Sequence, residues 1–326
     1  MTLRRTLAAV CLSTAFLTTT VPASADSRML TDPALSKDRI AFVYGNDLWT
    51  CRLDGTGVSR VTSGPGVKIR PAFSPDGSLL AFSAELDGNL DVYVVPASGG
   101  VPKRLTWHPA RDIVTGFTPD GRSVLFVSPR AVSNARDMQL FSVGVDGGIE
   151  TPLPIPAVAR AAFSPDGKTI AYDPHAPAHL QWKRYRGGTA STIWLFDVAT
   201  HAIARVPQPA TRCNDADPMW VSGPDGTTLA LRSDRDGEFN LYAAERTVDP
   251  KDPSKKSLSL RALTHYTDFP VLNAAAAADR IVFEQAGTLH LLDLSSREVR
   301  DLAITVPGDL LETRPRWAKG AKWIRG

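Results

Sequence analysis

The sequence predicts an all-β protein, a six-bladed β-propeller of four-stranded blades. The word Phe73-Ser-Pro-Asp-Gly77 returns as Phe117-Thr-Pro-Asp-Gly121 and Phe163-Ser-Pro-Asp-Gly167. After each copy come short runs of β-branched and aromatic residues separated by Gly, Asp or Asn turns, the pattern of successive antiparallel strands. Degenerate copies complete a set in which the turn aspartates fall at 38, 76, 120, 166, 225 and 279. The uninterrupted spacings match the period of a propeller blade.

Residues 1–25 read as a leader outside the fold. Arg4 and Arg5 precede an apolar run, Leu7 to Leu17, and Val21-Pro-Ala-Ser-Ala25 supplies a cleavage site. The mature chain is therefore expected to be exported, periplasmic or secreted, with no membrane span. Of 37 Lys+Arg and 34 Asp+Glu, two arginines lie in the leader, which leaves about +1. Such a balance offers no footprint for nucleic acid.

Residues 26–305 are the expected propeller. Within each turn word, Pro fixes φ, Asp bonds its own backbone and Gly accepts positive φ. The pairs Asp76-Gly77, Asp120-Gly121, Asp166-Gly167 and Asp225-Gly226 are thus structural, joining the innermost strand of a blade to the next. Phe73, Phe117 and Phe163 are expected to be buried between blades. The first unit begins with its inner strand (Asp32–Ser36) and the sixth ends with its outer strand (Glu298–Ile304). The ring then closes without a shared blade, by blade-to-blade packing alone.

Lettering the strands a to d outward, the turn words are a–b connections on one face. The b–c and d–a connections share the opposite face, around the channel mouth. Blade 4 carries an insertion there, Ala178 to Ala190, with Trp182, Lys183, Arg184, Tyr185 and Arg186 before a Gly-Gly hinge. Cations interleaved with aromatics suit carboxylates, peptide termini or a partner surface. The bland reading packs Trp and Tyr on the blade edge and leaves the cations in water. The d–a loops add Arg111, Arg212, Asp215, Asp217, Tyr266 and Asp268 as candidates, although alternating Arg and Asp also lock loops together. In blade 5, Arg246 to Leu260 reads as a solvated c–d loop on the far face. Residues 306–326 form a C-terminal tail leading toward a further domain.

Catalytic motifs are lacking: no G-x-S-x-G elbow, HExxH, Walker loop or G-x-G-x-x-G occurs. His175 and His179 have metal-like spacing, but Pro174 and Pro177 preclude a helix that would align them. Ser233–Phe239 starts like a calcium loop without its later Glu. No metal and no cofactor is expected. Cys51 and Cys213 fall in blades that are not neighbours, too far apart for a disulfide. Cys51 is expected to be a buried hydrophobe, and Cys213 a free thiol near the mouth, open to modification if exposed.

The repeats resemble PD40 repeats of TolB-type propellers. More specifically, "QWKRYRGGTASTIWLFDV", "NDADPMWVSGPDGTTLALRSDRDGEFNLY", "LTHYTDFPVLNAAAAADRIVFEQAGTLHL" and "ITVPGDLLETRPRWAKGAKWIRG" resemble the amino-terminal six-bladed propeller of tricorn-type serine peptidases. That resemblance implies an architecture continuing with a seven-bladed propeller, a PDZ-like domain and peptidase domains that hold the catalytic Ser and His. None of those catalytic residues can be carried onto this chain, so no activity of its own is expected. It implies a module that gates, guides or docks peptides, with oligopeptides, the peptidase domains or further copies of the chain as partners. The alternatives are a free-standing periplasmic TolB-like propeller that binds a protein partner, and a truncated peptidase fragment. One departure is Ala274–Ala278, which would leave the inner strand of blade 6 poorly filled.

Overall fold

A computed structural model describes residues 27–308 except 133–136, 176, 224–225 and 250–251, together with residues 317 and 320. The leader, Asp225 and most of the tail lie outside the described residues. Six separate four-stranded antiparallel sheets form the blades, each in simple meander order. Their inner strands are Thr31–Leu35, Lys68–Phe73, Ile113–Phe117, Arg160–Phe163, Asp215–Gly223 and Val271–Ala277. A 3₁₀ turn spans Ala178–Leu180. No helix among the described residues is long and apolar enough to cross a membrane.

The alternation of side chains along each strand sends one set to each neighbouring blade, so the core is divided among the seams. Buried clusters occupy all six seams. Phe42 and Ile40 of blade 1 pack on Val282 and Leu289 of blade 6. Phe82 and Tyr93 lie toward blade 1, and Phe126 and Phe141 toward blade 2.

The turn words act as expected. Asp76 accepts bonds from Ser74 Oγ (2.5 Å) and the Ser78 amide (3.1 Å). Asp120 accepts from Thr118 and Arg122, and Asp166 from Ser164 and Lys168. Gly77, Gly121 and Gly167 take φ of 75°, 70° and 71°, which favours glycine. Each also nests on the preceding blade: a Cβ on Gly121 would lie 3.4 Å from Pro75, and one on Gly167 3.8 Å from Pro119.

Three expectations need correction. Phe117 is buried, but Phe73 and Phe163 are half-buried and face the channel as well as the seam. The expected solvated loop of blade 5 is instead a long hairpin. Strands Asn240–Asp249 and Asp252–Ala262 pair in register, with Arg246 opposite Leu258 and Val248 opposite Lys256. Backbone pairing with an adjacent strand outweighs the polar composition of that segment.

The third correction concerns closure. No blade is shared, but packing is not alone. The Ser27 amide donates to Ile304 O (2.7 Å), Met29 N to Gly287 O (2.8 Å), and Val306 N to Ser27 Oγ (2.9 Å). The outer strand of blade 6 ends at Asp301, and the chain beyond it joins this clasp. Leu30, Leu302 and Ile304 fill the seam beneath.

Candidate functional site

The channel has two unlike ends. On the turn face it opens into a vestibule of 610 Å³. Its wall includes Phe73, Phe117, Phe163, Met219 and Trp220, and the alanines 274–278 form the blade 6 side. The alanine run thus leaves open space in the channel rather than a hole in the core. Deeper in, the bore narrows to 40 Å³ between Asp32, Arg70, Arg160 and Asn273.

That waist is a charged belt built on backbone irregularities. Asp32, Arg70 and Asp217 adopt left-handed φ of 46°, 57° and 50°, and each precedes a proline. Register shifts mark the same places in blades 1, 2 and 5. A non-glycine residue there costs on the order of 1 kcal/mol, and such outliers cluster at functional sites. Arg70 lies 3.8 Å from Asp32 and donates its amide to the same carboxylate. Asp217 bridges Arg160 (3.2 Å) and Arg232 (2.5 Å). Burial pushes the Asp217 carboxyl up, but Arg160 and Arg232 outweigh it and hold the group ionised. Burial prevails at Asp32, which is raised despite Arg160. Asp173, at the end of the second strand of blade 4, is pushed by burial to about 8.

At the mouth face, the blade 4 insertion forms a strap laid over blade 5. Lys183 Nζ sits 2.8 Å and Arg184 3.4 Å from Glu238, while Arg186 donates to Asp234 at 2.6 Å. Asn214 Nδ2 donates to Tyr185 O (2.9 Å) and Arg212 to Gly187 O (2.9 Å). Trp182 stays 62 % exposed, its ring 6.2 Å from that of Tyr185. The five candidate strap residues are therefore brought together, with their three cations on blade 5 carboxylates.

The loop candidates separate. Arg111 is exposed in the loop entering blade 3. Asp215 and Asp217 lie in the inner strand of blade 5 rather than in the preceding loop, a correction imposed by sheet pairing that begins at Asp215. Asp215 is buried and bonded to Gln208 and Arg235. Tyr266 is half-buried against Phe283 and His290, and Asp268 is exposed beside Gln285. Both cysteines are buried and unpaired. Burial lifts each thiol to about 12. Cys213 is free, as expected, but only 1 % exposed, so the condition for its modification is not met.

Sequence reasoning missed Asp32, Arg70, Arg160 and Arg232 as members of the charged belt. A signal existed for the first two: Asp32-Pro33, Arg70-Pro71 and Asp217-Pro218 repeat at the same place in three inner strands.

The profile of the tricorn protease N-terminal β-propeller domain matches residues 27–298. Tricorn protease homolog 1 of Streptomyces coelicolor is 32 % identical over 87 % of this chain, which spans 25 % of that relative. The crystal structure of the tricorn protease superposes with a TM-score of 0.72 at 25 % identity, covering 86 % of this chain and 27 % of that one. A TolB structure from Agrobacterium tumefaciens shares the fold, with a TM-score of 0.50 at 20 % identity over 84 % of this chain and 80 % of its own. The chain spans about a quarter of the length of the first curated relatives that it matches.

Proposed function

Because the chain belongs to the tricorn protease N-terminal β-propeller family, we propose that it is the non-catalytic module of a tricorn-like peptidase, guiding and gating extended peptides through its channel. The observation that carries this reading is the asymmetry of the channel. An apolar vestibule can accept side chains from an unfolded segment, the charged belt restricts the bore, and the strap covers the rim of blade 5. The test uses residues 26–326 and fluorescein-labelled unstructured oligopeptides, read by anisotropy and by mass spectrometry. Retention without cleavage, weakened in a Phe73→Ala/Phe163→Ala variant, is expected. Equal retention by that variant, or cleavage traced to a residue of this chain, overturns the reading.

A second reading has its own support. The mouth face exposes Met29, Trp107, Trp182, Phe269 and Leu272, spread over several blades. Such residues favour docking against another protein surface: the peptidase domains, further copies of the chain, or a separate partner as for a free-standing propeller. Replacing Trp107, Trp182 and Phe269 by Ser separates the readings, because docking falls while vestibule binding persists. If neither peptides nor a partner bind, a fragment without activity of its own is the remaining reading. Export is part of the proposal, on the leader-like residues 1–25, and an exported protein should begin at Asp26 by intact mass.

A further inference from the structure

The strap contains a buried imidazole with no hydrogen-bond partner among the described residues. Blades 1 and 6 turn from strand b to strand c in two residues, Gly45-Asn46 and Ala286-Gly287, whereas blade 4 runs from Asp173 to Trp194 between the corresponding strands. His179 stands on the 3₁₀ turn of that excursion and is 8 % exposed. Its ring packs against Phe239 with centroids 4.6 Å apart. The Arg232 guanidinium also packs over Phe239, 5.0 Å from its centroid. Among the described residues, neither Nδ1 nor Nε2 of His179 has a hydrogen-bond partner.

The charged groups facing this ring are Arg232 and Asp217 of blade 5, at the waist, and Asp234 just beyond the second strand of that blade. Both carboxylates are already engaged. Asp217 holds Arg160 and Arg232, and Asp234 accepts the Asn214 amide, Asn214 Nδ2 and Arg186. Arg232 repels a second cation, so the pocket accepts the neutral ring and offers a proton no acceptor. We propose that His179 makes the strap an acid-released latch on the channel mouth.

Burial first, and then Arg232, hold the imidazole of the closed strap down to about 4. A released strap puts the ring in water, where its ordinary value is about 6.5. Below that value the released state binds a proton that the closed state refuses, so closure is secure at neutral pH and weakens as acid is added. By linkage, the opening equilibrium should rise about thirtyfold between pH 8 and pH 5. Asp173, at the root of the strap, accepts the His175 amide and is itself raised by burial. It is the same in the native chain and in the two variants below, so its own titration cancels in the comparison between them. Only the consequence for peptide passage rests on the gating reading; the latch itself is read on the strap.

Hydrogen exchange of residues 26–326, corrected for intrinsic rate, tests it at pH 8 and pH 5. Protection of segment 178–190 should fall about thirtyfold in acid while blades 2 and 3 keep theirs. His179→Phe keeps the ring without a proton site, and His179→Gln is neutral and polar. Relative to either variant, strap protection in the native chain should fall about thirtyfold further between pH 8 and pH 5, even if one of the variants fits poorly. A pH-independent strap in the native chain overturns the latch, as does an undiminished acid response in either variant. So does an imidazole titrating near its ordinary value by NMR. Acid opening with unchanged peptide retention would leave the latch standing and remove the gating reading.

Discussion

On the turn face, Asp76 bonds to Ser74 and Ser78, two residues away on either side. On the mouth face, Arg186 reaches an aspartate 48 residues along the chain. The first arrangement is made inside a five-residue word and repeats wherever the word is spelled. The second requires blade 5 to be folded before the blade 4 strap has anything to rest on. One face is consequently a set of independent local turns, and the other a web of long-range contacts. Substitutions should respect that division: local on one side, propagating on the other.

The largest effect is expected at the belt between the two faces. Asp217→Ala leaves Arg160 and Arg232 without their shared carboxylate, and breaking such a buried pair costs about 3–5 kcal/mol. Urea unfolding should show it as a lower midpoint with the slope little changed. Asp234→Ala comes next, since three donors lose one acceptor, at about 2–3 kcal/mol. Its signature is faster exchange across 178–190, beyond what lower global stability explains. An Asp234→Ala variant that is destabilised without loosening of the strap would break the proposed division between the faces.

Phe163→Ala, on the turn face, removes a half-buried ring and should cost about 1–2 kcal/mol. Here the exchange pattern of the strap should stay as in the native chain. The smallest effect belongs to the turn aspartates. Hydrogen bonds from Ser74 and then Ser78 hold Asp76 down to about 2, and analogous bonds lower Asp120 and Asp166. Carboxyls lowered in the folded state lend stability above their ordinary value of about 3.9. That contribution is lost as the pH falls toward 2. A triple Asp→Asn variant at these positions should therefore show a flatter stability profile between pH 4 and pH 2, measured by thermal melts. An unchanged acid profile would mean that the turns do not act locally.

Thiol chemistry sharpens the same comparison. Native residues 26–326 should react slowly with an aromatic disulfide at pH 8, because both thiols are buried and raised to about 12. The unfolded, unreduced chain should titrate two. Rapid native reaction at Cys213 would show that the mouth face opens spontaneously.

The amino-acid sequence by itself determined the class of fold, the six repeats, the face on which each connection lies, and the place of the strap. These follow from local physics: Pro, Asp and Gly fix a turn whatever surrounds them, and alternating β-branched and aromatic residues make strands. Even Ala274–Ala278 was legible as a place where side chains run out. What only the tertiary structure decided is where charges meet. Asp217 looked like a loop residue until strand pairing turned it toward Arg160 and Arg232, and Lys183, Arg184 and Arg186 looked free until blade 5 supplied Glu238 and Asp234. The loop read into blade 5 became a hairpin because pairing with a neighbouring strand overrides polar composition. His179 has no sequence signature as a buried, unpartnered ring, since its burial depends on Phe239, sixty residues away. Closed rings bring such distant residues together, and pairwise electrostatics acts through space rather than along the chain.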